Sequence, residues 1–167
     1  GAALVGRGDV RRKLGDLLGA ESDINAALQA ARLAEDANVV TDAQRRLGLL
    51  AIDRGEFEDA HTIFSELLPM TRTLGDSERT LLTLQGLGIA NWQRGDLDAA
   101  VNHITEMQSL AESIDSTVDR LSAANLLGIL ALSREDYATA RAHLGAMLAL
   151  AREHDDENQQ IIATNNL

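Results

Sequence analysis

The sequence predicts an all-α fold of stacked helical hairpins, on three observations. Its 167 residues hold only one Trp, one Tyr, two Phe and one Pro, whereas Ala, Leu, Arg and Glu abound, a profile of helices and not of strands. A segment recurs every 40 residues: Leu47-Gly48-Leu49-Leu50-Ala51-Ile52-Asp53-Arg54-Gly55, then Leu87-Gly88-Ile89-Ala90-Asn91-Trp92-Gln93-Arg94-Gly95, then Leu127-Gly128-Ile129-Leu130-Ala131-Leu132-Ser133-Arg134-Glu135. Small residues stand in register with that repeat, in four-member columns Gly8, Gly48, Gly88, Gly128 and Ala20, Ala60, Ala100, Ala140.

Each column has a physical meaning. A glycine inside a helix costs about 1 kcal/mol relative to alanine, so its recurrence in mid-helix implies close approach of a second helix. The alanine column is expected to supply the small residue that faces it. Gly15, Gly55 and Gly95 end each first helix, where a left-handed residue is wanted, and the following Asp16, Glu56, Asp96 and Asp136 favour the start of the next helix. Large apolar residues Ile24, Phe64, Ile104 and Leu144 complete the repeat.

The pattern places first helices over 41–54, 77–94 and 117–133, and second helices over 16–35, 57–74, 97–114 and 137–153. One domain of about four hairpins is expected (1–36, 37–76, 77–116, 117–156), plus the first helix of a fifth (157–167). Residues 1–13 read as a poor first helix, because Arg7 stands where Leu47, Leu87 and Leu127 stand. Ser116 and Asp119 have the spacing of a capping box. Pro69 falls inside a second helix and predicts a kink, or else an early end to that helix. Glu135 replaces the turn glycine, so its turn either avoids the left-handed region or carries about 1 kcal/mol of strain.

Charge and composition exclude several functions. A formal charge of −11 repels phosphate backbones, so no direct nucleic-acid partner is expected. The chain has no cysteine, hence neither disulfides nor thiolate metal sites. No apolar run reaches the ~20 residues of a membrane helix, and a cytoplasmic protein with no membrane partner is expected.

These repeats resemble the tetratricopeptide family. The likeness rests on the Leu-Gly pair, the turn glycine, the residues Phe57, Leu97 and Tyr137, the alanine column, and Phe64, Ile104 and Leu144. The units are longer than the common ~34 residues and lack the proline that usually closes the second helix, which is similar to the repeats of large bacterial transcription activators and of kinesin light chains. The resemblance implies a right-handed superhelix whose groove, lined by first helices, binds proteins or peptides without catalysis or cofactor. It also implies a cut through the fifth unit at Leu167, hence an excerpt of a larger regulatory protein, with exposed repeat ends through which copies could associate. A sensor domain that takes a small effector or signalling peptide is the alternative.

In such repeats the binding residues come from one face of each first helix. Helical spacing from the Leu-Gly pair puts Arg45, Leu49, Ile52 and Asp53 there, with Gln85, Ile89, Trp92 and Gln93, and with Asn125, Ile129, Leu132 and Ser133, at the equivalent places. Trp92 either lies in the groove as a binding hot spot or packs between adjacent first helices. Asn165 and Asn166 resemble the paired asparagines of the kinesin-like repeats, or else form a polar helix end. Arg7, Arg11, Arg12, Lys13, Arg45 and Arg46 either form a positive pocket for a carboxylate or phosphate, or pair with acids on the neighbouring helix.

Other motifs dissolve on inspection. Arg94-Gly95-Asp96 is the turn of a hairpin and not an adhesion tripeptide, and Gly86-Leu87-Gly88 follows no strand, so it is not a dinucleotide loop. His103 and His143 share a repeat column as successive surface positions would, without metal-ligand spacing.

Overall fold

The computed structural model describes residues 1–167 and contains nine α-helices and no strand. In order these are α1 (Ala2–Lys13), α2 (Leu17–Leu33), α3 (Ala37–Arg54), α4 (Phe57–Thr73), α5 (Ser77–Gln93), α6 (Leu97–Ser113), α7 (Thr117–Ser133), α8 (Tyr137–Glu153) and α9 (Glu157–Asn166). No helix is long and apolar enough to cross a membrane. The chain forms two compact units, Gly1–Ala90 and Asn91–Leu167, with the boundary inside α5.

One turn is used eight times. A residue with positive φ stands at Gly15, Glu35, Gly55, Gly75, Gly95, Asp115, Glu135 and Asp155, so the backbone repeats every 20 residues within the 40-residue sequence repeat. After each of them the next amide reaches back five residues, as Asp16 N to Arg11 O (2.9 Å) and Asp136 N to Ala131 O (3.0 Å) do, which satisfies a carbonyl left open at the helix end. The same residue then caps the following helix: Asp16, Asp36, Asp96, Asp136 and Asp156 accept the amide three residues on, Asp76 accepts that of Arg79 (2.9 Å), and Ser116 caps Asp119 N at 3.4 Å while donating to its carboxylate. Glu56 makes no side-chain cap, since its longer stem carries the carboxylate past the amides.

In the unit Gly1–Ala90, Ala20, Ile24, Ala60 and Phe64 are fully buried on α2 and α4. Gly48 on α3 lies against the Phe64 ring and Gly8 on α1 against Ile24, where an added Cβ would stand 2.6 Å from the nearest side-chain atom. The glycine therefore faces the large apolar column, and at Gly8 the expected alanine, Ala20, stands beside it. For Gly8 the Ala20 contribution is a backbone carbonyl at 3.2 Å. Gly86 on α5 closes on the same Phe64 ring, a contact that the sequence reading did not find.

Two further expectations change in this unit. Residues 2–13 form a regular helix with Val5, Gly8 and Asp9 buried, because Arg7 does not enter the core; it turns outward and forks onto Asp23 (2.7 and 2.5 Å). The second first-helix begins at Ala37, ahead of the expected 41, capped by Asp36. Pro69 neither ends α4 nor leaves its last turn unmade, for the helix continues to Thr73, whose hydroxyl donates to Pro69 O (2.8 Å).

The unit Asn91–Leu167 repeats the scheme with aliphatic fillers. Gly128 on α7 approaches Leu144 on α8, with a would-be Cβ contact of 2.7 Å. Leu121, Ala124, Met147, Ala151 and Ala163 form one buried cluster across α7, α8 and α9. Glu135 does adopt the left-handed conformation (φ 59°), so its turn carries the strain.

Candidate functional site

In the first unit, α3 divides into two faces. Leu50 and Ala51 are buried, whereas Arg45, Leu49 and Ile52, at i, i+4 and i+7, are half-buried together along one stripe. Gln85 and Ile89 on α5 have the same half-buried state. The first helices α1 and α3 are tied by Arg12, which donates to Asp53 Oδ2 at 2.5 Å across 41 residues.

The basic residues of this unit are mostly paired with acids on their own or a neighbouring helix. Asp9 is buried and receives Lys13 (3.1 Å), Arg12 (3.4 Å) and Arg46. Arg7 and Arg11 converge on Asp23, and Arg79 on α5 reaches both Asp76 and Asp42. Arg45 differs. Its Nε is buried without a hydrogen-bond partner, as are Arg46 Nε and Gln44 Oε1 beside it. Burial, and then the charge of Arg46, push its guanidinium below the ordinary arginine value against the pull of Asp42 and Asp9. A buried donor without an acceptor costs roughly 1–3 kcal/mol, so the stripe contains a cation that an incoming acceptor would relieve.

In the second unit the corresponding face is built of amides and one indole. Trp92 is half-buried, and its Nε1 donates to Ser133 Oγ (3.1 Å), again across 41 residues. Ser133 Oγ in turn donates to Ile129 O (3.0 Å). Trp92 thus links to the neighbouring first helix while keeping part of its ring open. Asn166 Nδ2 donates to Asn125 Oδ1 (3.0 Å), the same 41-residue offset, so Asn166 is held on the face, while Asn165 is exposed. Ile129 is half-buried, Leu132 is 37% exposed and Gln93 is exposed. His103, from α6, turns its Nδ1 inward, 2.8 Å from Ala99 O and 3.2 Å from Asn91 Nδ2, where it donates to the first in one tautomer or accepts from the second in the other, which makes it a half-buried structural group and not a surface position.

Comparison with known proteins agrees with this architecture. Residues 40–113 match the tetratricopeptide repeat family model. These residues are tetratricopeptide repeats. The solved structure of BtubC (BKLC) from P. vanneervenii shares the fold at a TM-score of 0.81 and 21% identity, over 95% of this chain and 68% of that one. The Rap conjugation gene regulator of the plasmid pLS20, solved in complex with the Phr* peptide, matches at a TM-score of 0.81 and 18% identity over 94% of this chain, which spans only 43% of the regulator. No curated protein matches by sequence. The tetratricopeptide match covers α4, α5, α6 and most of α3, and so includes Arg45, Leu49, Ile52, Gln85, Ile89, Trp92 and Gln93. Asn125 and Ile129 lie beyond it, on α7, the first helix of the next hairpin.

Proposed function

We propose that this chain is a non-enzymatic binding module of a larger regulatory protein, and that the half-open faces of its first helices hold a protein or peptide segment. One observation carries the proposal: the stripe Arg45, Leu49, Ile52 stays half-exposed, with an unpartnered buried guanidinium nitrogen, in a helix whose Leu50 and Ala51 are buried. Such a stripe offers apolar contact beside a cation, and in the second unit Trp92, Asn125 and Ile129 offer an indole beside amides that bond main-chain groups. The acidic chain is proposed to avoid nucleic acid. Exposed Leu14 and Leu18 in the first unit and Ile161 in the second are the apolar groups through which copies would associate.

A second form of the proposal makes the ligand a signalling peptide that controls a regulator. The Rap regulator solved with its peptide favours this form. The test is selection of peptides from a random display library on immobilised protein, followed by calorimetry with the enriched sequences. Arg45→Ala, or Trp92→Ala with Asn125→Ala, is expected to weaken the selected peptides about tenfold or more, with a cooperative melt retained and the melting temperature lowered by no more than a few degrees in the double variant. Enriched peptides that bind both variants undiminished would overturn the assignment.

A further inference from the structure

On the side of α3 away from Arg45, Leu49 and Ile52, the helix turns Leu47 and Leu50 toward α2 and α4, and the three helices enclose an open crevice of about 340 Å³. Its apolar floor is incompletely covered. Leu47 is half-buried, whereas the leucines of the same column, Leu87 and Leu127, are 1% and 4% exposed. Ile63 on α4 adds a second half-exposed aliphatic group to the wall.

The mouth of this crevice is negatively charged. Glu21 from α2, and Glu56 and Asp59 at the start of α4, stand against a single guanidinium, that of Arg54. Arg54 is already committed: its Nη2 donates to Glu21 Oε2 (2.7 Å) and Leu17 O (3.3 Å), and Nη1 lies 3.9 Å from Glu56. Glu21 and Glu56 hold it in the charged form. The mouth therefore keeps a surplus of two carboxylate charges over an uncovered aliphatic floor.

That combination selects its occupant. A carboxylate would be repelled at the mouth, and a purely apolar side chain would leave the surplus charge unmatched. An aliphatic stem that ends in a cation satisfies both, as lysine and arginine do when they lay their methylenes on apolar surface and keep the head in a polar rim. From this charge complementarity we infer that the crevice between α2, α3 and α4 is a second docking site, which takes a basic, aliphatic segment of a protein partner. The site is separate from the Arg45 stripe and opposite to it in charge preference.

Titration of ¹⁵N-labelled protein with a capped Ala-Leu-Lys-Leu-Lys pentapeptide, followed by amide chemical shifts, tests the inference. Saturable shifts are expected at Leu47, Thr62 and Ile63, with a dissociation constant in the low millimolar range that weakens as salt is added. The Ala-Leu-Glu-Leu-Glu peptide should leave those amides unmoved. Asp59→Asn should weaken the lysine peptide about threefold. Thr62→Trp, placed on the exposed face of α4, should fill the mouth and abolish binding with the melting temperature retained. The inference is overturned if the lysine peptide moves none of these amides at about 10 mM, if the glutamate peptide binds equally, or if Thr62→Trp binds as the unmodified protein does. Each of these outcomes leaves the Arg45 stripe untouched, since its residues report separately in the same spectra.

Discussion

The phenyl ring of Phe64 lies directly on the α-carbon of Gly48, where an added Cβ would stand 2.6 Å from Cζ, and Gly86 meets the same ring at 2.5 Å. An aromatic ring fits between α3 and α5 only because neither helix has a side chain there. Gly48→Ala gains about 1 kcal/mol of helix propensity but overpacks a sealed site at about 1–3 kcal/mol. A net loss is expected, read as a lower midpoint in urea. Adding Phe64→Leu to that variant should recover part of the loss through coupling between contacting residues; an unchanged midpoint for Gly48→Ala would contradict the packing described.

The left-handed turn residue is the second point where sequence and backbone disagree. Glu135 sits at φ 59°, a conformation that glycine adopts without penalty. Glu135→Gly should stabilise the fold by about 0.5–1 kcal/mol, and Gly95→Ala, at φ 85°, should destabilise it by a similar amount. Equilibrium denaturation of the two variants checks both signs.

Glu56 is the one inter-helix cap whose side chain bonds no amide. Shortening it by a methylene, Glu56→Asp, should place the carboxylate where Asp16 and Asp96 have theirs and add about 0.5–1 kcal/mol. Asp96→Ala should remove about 1 kcal/mol. Thermal melts that show no gain for Glu56→Asp would mean that side-chain length is not what leaves α4 uncapped.

Acid should unfold this protein through its paired carboxylates. The Arg7 fork holds Asp23 below the usual carboxylate range, against burial that raises it, and the Arg79 amide does the same for Asp76. A depressed folded value means that the stabilisation is complete above the unfolded value of about 4. It is then lost as pH falls through the lower folded value. Melting temperature should change little from pH 7 to 5 and fall below pH 4. The gap between wild type and Asp23→Asn should narrow over that same fall.

Most of the fold was legible because one physical rule recurs. A glycine can repeat in mid-helix only where a neighbour presses on it, and Gly48 and Gly128 do face Phe64 and Leu144. The 20-residue turn was only half legible, since Glu35, Asp115, Glu135 and Asp155 adopt by context the conformation that Gly15 and Gly55 adopt by preference. Arg7 misled the reading of α1 because an arginine at a leucine position signals a poor helix unless its acid, Asp23, is seen beside it. The stripe Arg45, Leu49, Ile52 followed from helical period, whereas its unpartnered nitrogen did not, because hydrogen-bond satisfaction depends on which cations the neighbouring acids have already engaged, Arg46 at Asp9 and Arg79 at Asp42. The links Arg12 to Asp53 and Trp92 to Ser133 became visible only once neighbouring first helices were set side by side.

Trp92 is the only tryptophan in the chain, and its emission therefore reports on one face of the second unit without any label. Titration of that emission with the tightest selected peptide, alongside calorimetry on the same samples, is the most direct test of binding at the first-helix faces. A blue shift that saturates at the calorimetric stoichiometry, and that disappears with Asn125→Ala, is the predicted result. Calorimetric binding that leaves the emission of Trp92 unchanged and survives Arg45→Ala would contradict it.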